Sequence, residues 1–508
     1  MNGLKRTSIL SALLLICMLS VTVRAADPGY WYYDEFGIAE ARQEGLDGSG
    51  VKIADIDTLI NPDVPWLAGA DIVLRNEAIT TYYGEGIPPV SDDFDIAYHA
   101  TDMVSLIVGN SEGAVVGGAP DGIAPGATIY HYAAVCSEDD ALTGGDIYDE
   151  AMRLALEDGV DIVLIPAGGL SFYDVQYPYF LEAIRRGIPI FVAHANETVA
   201  LDEETVPEMY VDENGIALDF ADLLTADDDD EICYWPGIVT VQAIGENRLL
   251  QSYSDVEDPG TDITAPGEDL WMQAQDWGVF VPTGGGCSAA TSVAVAYCAL
   301  AMQKWPDATG NQILQLMVRT ATAQEALITG DPADILLLTR DTYEGYGLID
   351  PVRMLATDPS VLPDVNPILY LDVQRAVANA SARGDEEALL EPELLEVAQV
   401  LEEQLLAAGF ERPEFLVTLL GEREEEAPPE EIPEEAGEEV LETPAETVSQ
   451  TQESAPERAE EAAPLDTMDR IRPMIPLIVV AGVLIVSAVA FFTTRSKKKG
   501  DAPDEQKD

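Results

Sequence analysis

Acyl transfer at a peptide bond needs a nucleophile, an imidazole to take its proton, a carboxylate to orient that imidazole, and N–H donors for the oxyanion. The chain of 508 residues holds three histidines, His99, His131 and His194, so the choice of base is narrow. His131 lies inside a strand-like run, whereas His99 opens a stretch in which Met103, Val104, Ile107 and Val108 share one helical face. Asp57 ends the apolar run that starts at Val51. Ser288 follows Gly284, Gly285, Gly286 and Cys287 at the head of a helix-like run through Met302. Each residue alone also has a plain structural reading: a solvated strand-end carboxylate for Asp57, a helix cap for His99 or Ser288. Together they are the parts of a serine hydrolase.

Such parts need a rigid frame, and the chain supplies one. From about 48 to 355, apolar strand-like runs alternate with amphipathic stretches, the pattern of a parallel sheet covered by helices in three layers, α/β/α. Strands are expected at 51–57, 160–165, 188–193 and 238–244. A helix is expected to carry Ile147, Ala151, Leu154 and Ala155 on one face before a turn at Asp158 and Gly159.

Val51-Lys52-Ile53-Ala54-Asp55-Ile56-Asp57-Thr58, His99-Ala100-Thr101-Asp102-Met103-Val104 and Gly284-Gly285-Gly286-Cys287-Ser288-Ala289-Ala290 resemble, in that order, the three motifs of the subtilisin-like serine proteases, the subtilases. The resemblance implies a mostly parallel α/β/α fold and a catalytic triad of Asp57, His99 and Ser288. Ile190 to Glu197 resembles the segment bearing the family's oxyanion asparagine, which would be Asn196. Asp161 to Gly169 resembles the strand that pairs with an extended polypeptide substrate, through Ala167, Gly168 and Gly169.

A closer resemblance, over most of the chain, is to the mycosins, membrane-anchored subtilases of type VII secretion systems. Trp31-Tyr32-Tyr33 with Gly37-Ile38-Ala39-Glu40-Ala41 resembles their N-terminal extension, and Gly345-Tyr346-Gly347-Leu348-Ile349-Asp350-Pro351 the end of their catalytic domain. The implied partners are a polypeptide substrate and proteins of a secretion complex. About 20 residues between the signal and the first strand region are too few for a folded inhibitory propeptide, so autoprocessing of a large pro-domain is not expected.

Several positions depart from the family pattern. Leu59 and Ala100 stand where glycine is usual, Asp102 where a second histidine or small residue is common, Cys287 for threonine, Ser292 for proline, and Leu164 and Pro166 for asparagine and serine. A site requiring positive φ would tolerate Leu59 poorly. Asp55 lies two residues before Asp57 on the same strand and so shares its face, where two close carboxylates raise one another's proton affinity.

The two ends suggest export and anchoring. Lys5 and Arg6 precede an apolar run from Ile9 to Val21 and a small-residue cleavage pattern ending at Ala25. Residues 474–494 are apolar, long enough at about 1.5 Å per residue for a hydrocarbon core of about 30 Å, and Arg495, Lys497, Lys498 and Lys499 follow. Basic residues stay inside, which puts the bulk of the chain outside the cytoplasm. The expected partition is signal peptide 1–25, N-terminal extension 26–47, peptidase domain 48–360, helical segment 361–421, acidic Pro/Glu-rich disordered linker 422–470, transmembrane helix 474–494 and cytoplasmic tail 495–508. Within the helical segment, Leu389, Leu390, Leu394, Val397, Val400, Leu401 and Leu405 form the apolar stripe of a helix over 386–408, expected to dock on the main domain.

A formal charge of −67 repels phosphate backbones, so nucleic acid is excluded as a partner. Asp227-Asp228-Asp229-Asp230 could offer oxygen ligands to calcium but lacks the spaced pattern of a known calcium loop, so no cofactor is called for. Cys287 and Cys298 would lie about 16 Å apart along one helix, beyond disulfide reach, leaving Cys136 with Cys233 as the default pair in an oxidising compartment. Two functions fit these readings: a surface serine endopeptidase, and a catalytically weak or silent subtilase serving as a structural part of a membrane secretion complex. Nothing specific favours a third, an adhesion or binding protein on the same fold.

Overall fold

The computed structural model describes residues 30–421, apart from 84–87, 114–118, 136–144, 168–177, 195–235, 251–259, 274–276, 278–279, 325–326, 342–343 and 385–387. The expected signal, linker, 474–494 span and tail lie outside the described residues. Among the described residues no helix is long and apolar enough to cross a membrane.

Two short helices, α1 (Trp31–Asp34) and α2 (Ile38–Gln43), lead into strand β1 (Lys52–Thr58). Then come β2 (Asp71–Arg75), α3 (Glu77–Tyr83), α4 (Phe94–Val108), β3 (Thr128–Val135), α5 (Gly145–Asp158), β4 (Ile162–Ile165), α6 (Pro178–Arg185), β5 (Ile190–Ala193), β6 (Val239–Ile244) and β7 (Ile263–Pro266). The strands form one sheet in the order β2-β3-β1-β4-β5-β6-β7, and every neighbouring pair is parallel. Central β4, β5 and β6 are buried at every residue, which is why β4 and β5 read as unbroken apolar runs and do not alternate, while β6 also buries Thr240 and Gln242.

Register sorts the helices into two layers. Asp57 points to the face on which α4 lies, because it meets His99 of that helix. Tyr132 is paired with Ile56 and turns to the other face, where its hydroxyl donates to Asp158 at the end of α5 (2.8 Å). A hairpin of β8 (Leu270–Gln273) and β9 (Phe280–Gly284) then leads into α7 (Cys287–Lys304). Every residue of α7 from Cys287 to Ala301 is buried, as expected of a helix that is apolar or small on all sides. It packs against α4 and crosses β4 to β7, so it is the core of its layer.

The sequence-expected strands appear with ends shifted by a residue or two, but two helices differ more. The helix bearing His99 begins at Phe94, because Asp93 caps it by accepting the Asp95 N–H (3.3 Å), and His99 therefore sits in the second turn. After α8 (Gly310–Thr320), α9 (Pro351–Ala356) and α10 (Pro367–Arg383), the expected helix over 386–408 is instead a 3-10 turn, Ala388–Leu390, followed by α11 (Pro392–Ala407). Pro392, with its fixed φ and missing N–H, sets that start. Leu394, Val397, Val400, Leu401 and Leu405 are buried, whereas Leu390 is 70% exposed. The stripe docks on the domain: Gln404 donates to the Ile184 carbonyl (2.7 Å) and Arg185 pairs with Glu403 (3.0 Å). A last helix, α12 (Glu414–Leu420), packs on α10 and α11.

Candidate active site

Strand β1 is flanked by β3 and β4 and delivers Asp57 at its C-terminal end, 3% exposed. The Thr58 N–H donates to Asp57 Oδ1 (2.6 Å), and the Thr58 hydroxyl accepts the Ala100 N–H (3.2 Å), which ties the end of β1 to α4 one residue past His99. His99 Nδ1 lies 2.8 Å from Asp57 Oδ1 and 2.9 Å from Oδ2, so the Nδ1–H is shared by the two carboxylate oxygens and Nε2 is left to act as a base. Burial disfavours the imidazolium. The Asp57 charge and hydrogen bond, with the charges of Asp55 and Asp102, outweigh burial and hold His99 above its ordinary value.

Beside His99 stands an aromatic wall. Phe94 stacks on Tyr98 (centroids 5.3 Å apart), Trp277 meets Phe94 edge-on (5.1 Å), and Tyr98 meets the imidazole at 83°. Trp277 is held by its Nε1–H on the Asp92 carbonyl (2.6 Å). The spacing of Phe94 and Tyr98, four apart on a helix, was a signal in the sequence, but only with the helix extended back to Phe94.

Ser288 is the second residue of α7 and 8% exposed, whereas the adjoining Cys287 is wholly buried. The turn before it is set by Gly286, whose φ of 139° and ψ of 167° lie where side chains are rarely tolerated. Gly286 donates its N–H to the Gly267 carbonyl (2.8 Å), anchoring the loop to the end of β7. The first N–H groups of a helix lack intrahelical acceptors and carry the positive end of its dipole, so the Ser288 amide can serve an oxyanion. Ser292, in the place of a usual proline, returns its hydroxyl to the Ser288 carbonyl (3.1 Å).

Other departures also find a local account. Leu59 is not among the positive-φ residues, which beyond glycine are Arg248 and Asp269 among the described residues, so its backbone needs no glycine. Asp102 accepts the Gln273 N–H (3.0 Å). Asp55, expected to disturb Asp57, has a partner that sequence reasoning missed, since His131 Nδ1 lies 2.7 Å from Asp55 Oδ2. The N-terminal extension packs on the domain: Trp31 donates to the Glu268 carbonyl (2.9 Å), and Tyr297 of α7 donates to the Tyr32 carbonyl (2.5 Å).

The structure thus brings Asp57 and His99 into contact and sets Ser288 on the helix that packs against that of His99. Ala167 follows β4, half-buried, after a buried Pro166. Asn196, Gly168, Gly169, Cys136, Cys233 and Asp227 to Asp230 lie outside the described residues.

A model of the Subtilase family (Peptidase S8) matches residues 48–347, more than half of the chain. The chain belongs to the subtilase family. Among curated proteins this subtilase is 25% identical over 332 residues to the minor extracellular protease Epr of Bacillus subtilis (strain 168), covering 65% of the chain and 42% of the relative. It thus spans about two fifths of the length of the curated relative it matches. Among solved structures it is similar to MycP1 from Mycobacterium smegmatis (20% identity, 66% of this chain and 87% of that one, TM-score 0.47) and to the MycP3 protease from the type VII (ESX-3) secretion system (20%, 66% and 90%, TM-score 0.45).

Proposed function

We propose that this subtilase is a membrane-anchored, extracytoplasmic serine endopeptidase that cleaves polypeptides through Asp57, His99 and Ser288, with Asn196 sharing the oxyanion, and that it works beside a type VII secretion system. The observation that carries the chemistry is the Asp57–His99 contact at 2.8 and 2.9 Å, which fixes the imidazole tautomer with Nε2 open. Ser288 Oγ gives its proton to Nε2 as it attacks the substrate carbonyl. The imidazolium so formed is stabilised by Asp57 and returns the proton to the leaving amine. Water then repeats the sequence on the acyl-enzyme and releases the acid. The negative charge of each tetrahedral intermediate falls on the Ser288 N–H and the Asn196 side chain, a type of donor whose loss costs about 10²- to 10³-fold in turnover. An extended substrate would lie along the backbone of Ala167, Gly168 and Gly169.

Location and partners rest on the sequence. The export signal at 1–25, the span at 474–494 and the four cations after it support an anchored chain with its peptidase domain outside. The order of extension, peptidase domain, linker, span and basic tail supports work beside a secretion complex. The test of the chemistry is labelling with an active-site serine phosphonate. It should vanish in Ser288→Ala and persist in Cys287→Ser, since Cys287 is buried in the core of α7. Labelling that follows Cys287 would overturn the assignment.

A further inference from the structure

Behind Asp57 the same strand carries a second carboxylate that the reaction does not use. Asp55 leaves β1 on the same face as Asp57. The β1–β3 register sets His131 opposite Asp55, and His131 Nδ1 lies 2.7 Å from Asp55 Oδ2 with both side chains wholly buried. The acid–imidazole contact of the active site is thereby repeated one step back: Asp57 with His99 between strand and helix, Asp55 with His131 between strand and strand.

Two atoms decide the charge of the inner pair. Among the described residues, Asp55 Oδ1 and His131 Nε2 are buried without a hydrogen-bond partner. A proton on Nε2 would be a buried donor with no acceptor. A neutral imidazole with its proton on Nδ1 satisfies its only donor at Asp55 and leaves at Nε2 a lone pair, the lesser penalty. Burial holds the Asp55 carboxyl up to about 6, so above that pH the pair is a carboxylate and a neutral imidazole with one net negative charge. The titratable groups that act on Asp55 besides His131 are Asp57 on its own strand and His99 from α4, while Asp102 of α4 acts on His99. Strands β2 and β4 set Leu74 and Leu164 at the flanking register positions, and α7 carries no charged residue before Lys304. In so dry a setting the Asp55 charge is poorly screened, and it acts on His99 in the same sense as Asp57.

We propose that Asp55, held by His131 on the same face of β1 as Asp57, is a positioning residue for His99: its buried carboxylate sets a second negative charge behind the Asp57–His99 contact and supports the imidazolium formed as serine attacks. The use in catalysis rests on the peptidase reading. The coupling of Asp55 to His99 is a property of the folded chain and is measured without turnover.

The test is hydrogen exchange at the histidine C2 position, read by mass spectrometry in the full chain, which gives a titration midpoint for each of the three histidines. Asp55→Asn keeps an acceptor for His131 Nδ1–H and removes the charge, so the His99 midpoint should fall by about one pH unit. His131→Gln keeps a donor to Asp55 and leaves its charge, so the His99 midpoint should stay at the wild-type value. Should Asp55→Asn not fold, the double variant Asp55→Val with His131→Leu replaces the pair with apolar side chains and should show the same fall. An unmoved His99 midpoint in either folded variant overturns the proposal, and so does an equal fall in His131→Gln, which would trace the effect to packing. If the phosphonate does not label the wild type while the midpoint falls in Asp55→Asn, the peptidase reading fails and the coupling stands. Labelling with an unmoved midpoint is the reverse case.

Discussion

Asp102 on the helix of His99 accepts the backbone N–H of Gln273, at 3.0 Å, from the hairpin that leads into Ser288. The contact joins the helix that carries His99 to the hairpin that precedes Ser288 at a buried point. Burial pushes the Asp102 carboxyl up to about 7 against the pull of Gln273 and His99, and either protonation state keeps an oxygen to accept the N–H. Asp102→Asn should therefore fold with unchanged or higher stability at pH 8. Asp102→Leu strands the Gln273 N–H and should cost about 1–3 kcal/mol, read as a lower urea midpoint, together with slower phosphonate labelling.

Stability should rise on mild acidification. Burial holds Asp55 and Asp102 above the usual carboxylate range, and His99, against its own burial, is held above its ordinary value by Asp57, Asp55 and Asp102. Between about pH 4 and 7 the folded chain thus binds more protons than the unfolded one, so stability falls as pH rises through that window. Carboxyls held low act in the opposite sense: Asp47, against burial, through Ser49 and Gln303, and Glu182 through Arg186 and Arg185. Their contribution is lost only as pH drops below about 4, where the unfolded chain takes up protons. The formal charge of −67 adds self-repulsion that protonation relieves. Thermal melts at constant ionic strength should give a Tm a few degrees higher at pH 5 than at pH 8. Asp102→Asn should flatten that slope. An equal or higher Tm at pH 8 would contradict these proton affinities.

Gly286 and Gly267 should resist even a methyl group. At Gly286 the φ of 139° precedes the helix of Ser288 directly, so Gly286→Ala should cost about 1–3 kcal/mol and turn the serine out of line. At Gly267 an added Cβ would come within 2.5 Å of Ala243 Cβ and 2.9 Å of the Gly286 carbonyl, pushing the loop before Ser288. Both variants should lose phosphonate labelling by a larger factor than their melting shifts explain. Normal labelling in either would mean that the loop position does not govern the nucleophile.

The layers and most strands were legible because buried parallel strands advertise themselves as unbroken apolar runs, as at Ile162 to Ile165 and Ile190 to Ala193. Edge strand β2 was not, since Asp71 to Arg75 is at most half-buried and reads like a surface loop. The start of α4 was hidden because Asp92, Asp93 and Asp95 look like a solvated acidic stretch, although Asp93 is the cap. Pairing His131 with Asp55 needed the β1–β3 register, a long-range quantity that spacing along the chain does not contain. Asp57 and His99 were legible for the opposite reason: one ends a buried strand and the other rides an apolar helix face, both local signals.

Enzyme and scaffold differ in a single respect, whether His99 can pass a proton, so the decisive variants change that and leave the fold alone. If hydrolysis is the function, Asp57→Asn, His99→Ala and Ser288→Ala should each abolish phosphonate labelling and peptide cleavage. The multiple variants should be little worse than the singles, because groups that act as one unit are not additive. All should fail alike to restore export to a deletion strain. If the chain serves a secretion complex as a structural part, the same variants should restore export in full, whereas deletion of 474–508 should not, since confinement to the membrane is then lost. The Asp57–His99 contact at 2.8 Å and the buried, glycine-set turn before Ser288 favour the first outcome. Full rescue by Ser288→Ala together with an unlabelled wild type would leave this subtilase a scaffold.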